Sequence, residues 1–193
     1  MSIPGYALVS RRDRSCQSNR GGIASFARHD VRNIVSIGDS EVAERSWHLL
    51  HTDLGSIAIV NWYRPGAAPL SHIESFAAEY EQYRHQFTSI IVAGDLNIHH
   101  RSWLRYSSGE SYEGQVLKEI CDSHSMQQIV KAPTHKSEIS HNDYLSISCL
   151  THNVEKKLES SITDHTSLHI PMSMEIPEQI IVPGEVWHCK GAS

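Results

Sequence analysis

The sequence predicts an α/β fold, and three observations lead to this prediction. A pattern typical of a β-hairpin covers residues 47–63, helical periodicity follows over residues 71–87, and a continuous apolar run follows over residues 89–94. Such a succession of strands and helices is typical of a sheet that packs against helices. The chain has 193 residues, of which 39% are hydrophobic, so it has material for one hydrophobic core and we expect one globular domain.

The first half of the chain is expected to enter a sheet. Residues 1–20 are polar and basic, and we expect them to form a partial N-terminal loop of the domain that leads into a short strand after Gly21 and Gly22. The turn-rich residues 52–55 separate the two hairpin strands. Pro65 follows the second strand and should end it, because proline cannot donate to a β-ladder.

The middle of the chain contains the clearest helix. Its apolar residues recur at helical spacing from residue 71 to 87, and Ser71 with Glu74 matches a capping box. The apolar run at residues 89–94 does not alternate with polar residues, which favours a strand that is covered on both faces. Asp95 and Asn97 come directly after this strand, at the carboxyl end where functional groups are often displayed.

The sequence predicts fewer elements in the remainder of the chain. A second helix is expected from residue 114 to about 128, because apolar residues again share one face. A strand is expected over residues 144–147. Residues 175–193 are rich in Pro, Gly and Glu and are expected to form a C-terminal linker, which leaves residues 21–174 as the main domain.

Composition excludes several classes of protein. The formal charge of −5 excludes a highly basic protein that holds nucleic acid by charge alone. No run approaches the ~18 consecutive apolar residues of a spanning helix, and the N-terminus lacks the pattern of a secretory signal. The four cysteines are widely spaced, and the fourteen histidines show no zinc-binding spacing. We therefore expect an intracellular protein, nuclear or cytoplasmic, that has no membrane partner.

Polar residues with catalytic potential occur at several predicted strand ends. Asp95 and Asn97 follow a buried strand, Asp143 begins another, and Asp164 with His165 begins a third. A single aspartate at a strand end is more often a turn former than a catalyst. The combination in chain order carries more weight than any one of them, since it occurs within a longer set of motifs.

These motifs resemble those of the endonuclease/exonuclease/phosphatase superfamily, and in particular the endonuclease domains of non-LTR retrotransposons. The matching segments run nearly end to end: GGIASFAR at 21–28, NWYRP at 61–65, IVAGDLNIHH at 91–100 with Trp103, APTH at 132–135, DYL at 143–145, TDH at 163–165 and VWHCKGA at 186–192. The block at 91–100 is the most specific of these. The resemblance implies a four-layer α/β sandwich, and a retrotransposon-derived reading frame.

The resemblance also implies a reaction, which is metal-assisted hydrolysis of a phosphodiester in DNA with Mg²⁺ or Mn²⁺. Asp95 would activate the attacking water, and Asn97 would hold the water or a phosphate oxygen. His165, oriented by Asp143, would donate to the phosphate.

Two further roles follow from the same resemblance. Tyr63 would add a donor to the phosphate, and Asp164 would help to hold the metal ion. The expected protein is a monomer with DNA as its partner.

The sequence also departs from the family pattern. The family uses an asparagine and a metal-binding glutamate on strands that precede its glycine-rich strand, and no counterpart occurs among residues 1–20. We therefore expect a sandwich that lacks its first strands, and activity that truncation could abolish. Three alternatives remain. The chain is a non-catalytic remnant that acts as a weak binding module, a phosphatase of the same superfamily, or an unrelated α/β protein whose Asp and His residues are caps.

Overall fold

The computed structural model describes residues 2–14, 21–104 and 109–129, together with the backbone of three short strands further along the chain. The elements in chain order are β1 Tyr6–Asp13, β2 Gly22–Arg28, β3 Ile34–Asp39, β4 Glu44–Thr52, β5 Gly55–Tyr63, α1 Ser71–Tyr83, a 3-10 turn Arg84–Gln86, β6 Ser89–Ala93, α2 Tyr112–Ser123, β7 Ser146–Ile147, β8 Glu155–Lys157 and β9 Ser167–His169.

The main sheet has five strands in the order β3-β4-β5-β6-β7. β5 and β6 are parallel, and the other neighbouring pairs in this sheet are antiparallel. Because parallel strands need a crossover connection, α1 lies between β5 and β6 in the chain. The predicted hairpin, first helix and buried strand are therefore confirmed, and β7 lies within the strand predicted at residues 144–147.

The two faces of the main sheet have different neighbours. Trp47, Val60 and Val92 face α1 and α2 and form the main core with Phe76 and Leu117. On the opposite face, the antiparallel pair β1–β2 contacts strands of the main sheet. The Asn61 side chain donates to the Ala24 carbonyl oxygen over 3.2 Å and thereby joins the two sheets. The strand pair β1–β2, the main sheet and the helices α1 and α2 are thus stacked in that order. β8 and β9 pair antiparallel in a separate two-stranded sheet.

The structure corrects the expectation that residues 1–20 form a loop. Residues Tyr6–Asp13 are a strand whose backbone pairs with β2 from Tyr6 opposite Arg28 to Asp13 opposite Gly22. The strand was missed because most of its side chains are exposed, so the sequence carries a weak apolar pattern there. β3, in which no residue is buried, was also missed. The domain limits at residues 21 and 174 stay predictions.

The first helix begins at Ser71 as predicted, but its predicted capping box and the predicted bounds of the second helix were wrong. The N-cap of α1 is Leu70, without a side-chain cap, and the Ile73 and Glu74 N–H groups donate to the Leu70 carbonyl instead of to Ser71. The second helix begins at Tyr112, where the Ser111 side chain accepts from the Gly114 N–H over 3.1 Å. It ends at Ser123, because Ser125 adopts a positive φ of 56° that a helix cannot continue.

A buried ion pair attaches α1 to the sheet. Arg45 on β4 is fully buried and donates to both carboxylate oxygens of Glu79 on α1, over 2.7 and 2.8 Å. The Trp47 indole donates to the same carboxylate over 2.6 Å, and the Arg45 guanidinium lies 4.3 Å from the Trp62 ring centroid. Burial lowers the pKa of Arg45, and although burial alone would raise the pKa of Glu79, the Arg45 hydrogen bonds hold it below its usual value.

Replacing Glu79 tests this attachment. Glu79→Gln leaves the Arg45 charge buried without its counterion, so we expect the free energy of unfolding to fall by about 3–5 kcal/mol. Urea unfolding at pH 7 measures it. The control Glu81→Gln removes an exposed ion pair with Arg84 and should change the free energy of unfolding by less than about 1 kcal/mol. Equal losses of unfolding free energy in the two variants would contradict the role of the Arg45–Glu79 ion pair in attaching α1 to the sheet.

A buried histidine joins the two sheets. His48 on β4 is buried; its Nδ1 lies 3.2 Å from the Ile59 carbonyl oxygen and its Nε2 lies 2.7 Å from the Ser10 hydroxyl on β1. A carbonyl oxygen can only accept, so Nδ1 carries the proton and Nε2 accepts from Ser10 in the neutral ring. Burial lowers the pKa of His48, against small opposing effects of the Ile59 carbonyl and Asp39.

This histidine predicts a pH dependence of stability. The pKa of His48 is lower in the folded chain than in the unfolded chain. The stabilisation that His48 contributes is therefore fully present above the unfolded pKa of about 6.5, and it is lost as the pH falls through the folded pKa. Urea unfolding at pH 7.5 and pH 5 should show this loss, and His48→Gln should reduce it. Burial also lowers the pKa of His72 and His124, so part of the loss should remain. An equal loss of stability in the native chain and in His48→Gln would contradict this role of His48.

Candidate active site

The candidate site lies where the parallel strands β5 and β6 end side by side. Asn61 pairs with Ala93, and the pairing continues past both strands because the Arg64 N–H donates to the Asp95 carbonyl oxygen over 2.8 Å. Tyr63 is the last residue of β5. Tyr63, Asp95 and Asn97 are all half-buried, so each retains access to solvent. The carboxyl ends of parallel strands are a common place for ligand sites in α/β proteins.

Gly94 allows the two strand ends to approach closely. Its φ is +145°, and a Cβ at this position would overlap the Trp62 carbonyl oxygen. Only glycine adopts such a backbone conformation without strain, and only glycine leaves room for the neighbouring strand. The glycine of the GDLN motif therefore has a packing role that places Asp95 next to β5.

Asp95 and Asn97 form a closed turn. Asn97 has a φ of +47°, a left-handed conformation that asparagine tolerates better than most residues. Its backbone N–H donates to Asp95 Oδ1 over 3.2 Å, and its side-chain Nδ2 donates to the Arg64 carbonyl oxygen over 2.9 Å. One carboxylate oxygen of Asp95 and one amide hydrogen of Asn97 are thus already bound within the site.

Arg64 lies beneath this turn and was missed as a site residue. Its side chain is 1% exposed; Nη2 donates to the Ala68 carbonyl over 2.6 Å, Nη1 donates to the Asn97 carbonyl over 3.4 Å, and Glu113 lies 3.8 Å away. Burial lowers the pKa of Arg64, which Glu113 partly offsets. The sequence offered one signal, which is an arginine placed between a buried strand and a proline.

The loop after Asn97 docks on the amino end of α2. The Ser111 N–H donates to the His99 carbonyl over 2.9 Å, and Gly114 fits against that carbonyl where a Cβ would overlap it. His100 is buried and contacts Trp103 edge-on at 6.4 Å between ring centroids. The HH and Trp103 positions of the motif thus contribute to packing of the loop.

A second arginine borders the site at Tyr63. Arg14 lies over the Tyr63 ring, with its Cζ 5.2 Å from the ring centroid, and donates to Glu44 over 2.5 and 3.2 Å. Glu44 is opposite Tyr63 in the β4–β5 register. The hydrogen bond to Glu44 raises the pKa of Arg14, so this side chain is a permanent cation.

The structure brings together three of the predicted site residues, Tyr63, Asp95 and Asn97. Asp143, Asp164 and His165 lie outside the described residues, so their positions and roles stay predictions. Within residues 2–14, 21–104 and 109–129, no three His, Cys, Asp or Glu side chains form a group that could hold a metal ion. Asp95 offers the hard oxygen ligand that Mg²⁺ prefers, but the described residues do not make up a metal centre by themselves.

Comparisons with known proteins agree with this architecture. A family model described as endonuclease-reverse transcriptase matches residues 57–173. The endonuclease domain of TRAS1, a telomere-specific non-LTR retrotransposon, is 15% identical over 86% of this chain and 77% of that chain, with a TM-score of 0.63. An endonuclease/exonuclease/phosphatase family protein from Bacteroides thetaiotaomicron is 11% identical over 87% of this chain and 73% of that chain, with a TM-score of 0.51.

At 15% and 11% sequence identity, the two structural matches show a similarity of fold. Together with the family match it confirms both the motif resemblance and the predicted α/β sandwich. A search of curated proteins found no significant match. In the part of the chain that the structure describes, no helix is both long and apolar enough to cross a membrane.

The close approach at Gly94 generates a prediction. Gly94→Ala adds a Cβ against the Trp62 carbonyl and forces alanine into a glycine conformation, so we expect the free energy of unfolding to fall by more than about 2 kcal/mol. Urea unfolding measures the loss. In the control Gly66→Ala the added Cβ would lie 3.8 Å from the Asn97 Cβ, an ordinary contact. Equal stability of the Gly94 variant and the native chain would contradict the packing role.

Proposed function

Because the chain belongs to the endonuclease-reverse transcriptase family, we propose that it is the endonuclease domain of a retrotransposon-derived protein and hydrolyses phosphodiester bonds in DNA. The observation that carries the proposal is the convergence of Tyr63, Asp95 and Asn97 at the carboxyl edge of the β5–β6 pair. A general base and two hydrogen-bond donors at one accessible edge suit attack of water on a phosphate.

Asp95 is the proposed general base. A carboxylate within hydrogen-bond reach of a water can orient it and accept its proton as the new bond to phosphorus forms. The Asn97 N–H holds Oδ1 of this carboxylate, which fixes the plane of the carboxylate next to the attacking water. The proton passes to the carboxylate, one phosphorus–oxygen ester bond breaks as the new bond forms, and the released oxygen takes up a proton from solvent.

Tyr63 and Asn97 are the proposed donors to the phosphate. The Tyr63 phenol and the second hydrogen of Asn97 Nδ2 are neutral donors, so they stabilise a phosphate oxygen without adding charge. The first Nδ2 hydrogen is donated to the Arg64 carbonyl, so the amide is already oriented before substrate binds. Donors fixed in advance lower the barrier, because they need no reorganisation during the reaction.

The remaining roles belong to residues outside the described ones. His165 would donate to a non-bridging phosphate oxygen, and Asp143 would accept from its other ring nitrogen and hold it in place. Asp164 would help to hold Mg²⁺ or Mn²⁺. When bound, such an ion neutralises charge that develops on the phosphate. The domain would act on DNA as a monomer, in the nucleus or the cytoplasm.

A plasmid-nicking assay tests the proposal. With Mg²⁺ or Mn²⁺ the purified chain should convert supercoiled plasmid to the nicked form, and EDTA should stop it. Asp95→Asn should lower the nicking rate by about 100-fold or more, since it removes the general base. The matched control Asp53→Asn replaces an exposed aspartate in the β4–β5 turn and should leave the rate unchanged.

The opposite result has a clear meaning. If the folded chain gives no nicking, or if Asp95→Asn nicks as fast as the native chain, the catalytic proposal is wrong. Without nicking, the folded chain is a non-catalytic remnant of a nuclease domain, whereas nicking that does not need Asp95 means that another group acts as the base. Circular dichroism on each variant excludes unfolding as the reason for a loss of activity.

A further inference from the structure

We propose that Arg64 is a positioning residue, whose buried guanidinium sets the orientation of Asp95 and Asn97 from beneath. The inference rests on the proposed function for its catalytic meaning. Its structural content, a loop geometry imposed by one buried side chain, can be tested separately.

The backbone of Arg64 already contacts both residues. Its N–H donates to the Asp95 carbonyl over 2.8 Å, and its carbonyl accepts from Asn97 Nδ2 over 2.9 Å. These two bonds do not depend on the side chain, so a substitution at position 64 keeps them available. Any effect of such a substitution on the turn therefore reports on the guanidinium.

The guanidinium connects two loops. Nη2 donates to the Ala68 carbonyl in the loop before α1, and Nη1 donates to the Asn97 carbonyl in the loop after β6, over 2.6 and 3.4 Å. A planar guanidinium holds several donors in a fixed arrangement, which a single ammonium cannot match. Arg64 thus fixes the distance between the loop before α1 and the loop of Asp95 and Asn97.

A third segment, the first turn of α2, lies near the Arg64 side chain. Glu113 in the first turn of α2 lies 3.8 Å from Arg64 Nη2 and is about one-third exposed, with a side-chain value of 35%. At that separation the two groups attract each other but are not in direct hydrogen-bond contact. Arg64 is therefore balanced by a distant carboxylate and held mainly by carbonyl oxygens of the site loops.

This arrangement is a poor one for stability alone. Arg64 Nε is buried and has no hydrogen-bond partner within the described part of the chain, and a buried cation with an unmet donor is destabilising relative to an apolar side chain. Arg45 provides the contrast, because its carboxylate partner is 2.7 Å away and its contacts on α1 are with Glu79, His72 and Ser75. The gain at Arg64 is a fixed geometry for the catalytic turn.

The test compares Arg64→Lys with Arg45→Lys, a matched change at a second buried arginine, in the full chain and under conditions where both variants are folded. Hydrogen exchange of the amides of residues 95–98 should become about tenfold faster in Arg64→Lys. The amides of β6 should keep their protection, and Arg45→Lys should leave residues 95–98 unchanged. Unchanged exchange at residues 95–98 in Arg64→Lys would overturn the inference, as would equal acceleration in the two variants.

Nicking kinetics give the second readout. Per folded molecule, Arg64→Lys should lower kcat by about 10- to 100-fold with KM for plasmid within about threefold, because misplaced groups slow chemistry more than binding. Arg45→Lys should keep kcat within about twofold. An equal fall of kcat in both variants would show a general structural role and overturn the positioning role. If the native chain shows no Asp95-dependent nicking, the proposed function fails, and the exchange experiment alone decides whether Arg64 sets the turn.

Discussion

The close parallel pairing of β5 and β6 is the constraint on which the candidate site depends. The pairing brings Asp95 beside Tyr63, and it can reach the ends of both strands only because Gly94 leaves no side chain against Trp62. The same crossover that makes the strands parallel places α1 behind them and closes the core. Fold and site therefore share one cause, and a change at Gly94 should disturb both.

The two fully buried arginines have different tasks in the same sheet. Arg45 is held by a direct carboxylate partner and attaches α1 to β4. Arg64 is held by loop carbonyls and attaches the loop before α1 to the turn of Asp95 and Asn97. The first arrangement supports the layer packing, whereas the second controls the relative position of polar groups at the strand ends. Burial prevents water from competing with either set of hydrogen bonds, which makes both geometries more rigid.

The sequence predicted those parts of the structure that have strong local patterns. The helix of Phe76, the buried strand before Gly94 and the placement of Asp95 and Asn97 after it follow from periodicity and from a specific motif. β1 could not be predicted, because its register depends on pairing with β2 and its own side chains are largely exposed. Arg64 was missed as a site residue for a related reason. Its contacts reach residues that lie far apart in the chain, and no spacing in the sequence reveals them.

Mapping where DNA binds tests whether the ends of β5 and β6 form the functional site. An ¹⁵N-labelled sample of the chain can be titrated with a short DNA duplex in Mg²⁺ while the backbone amide signals are followed by NMR. We expect the largest changes among assigned amides of the described residues at Tyr63, Arg64 and residues 94–99. Changes concentrated on β3 or on the exposed face of α1, with the signals of Asp95 and Asn97 unmoved, would contradict it.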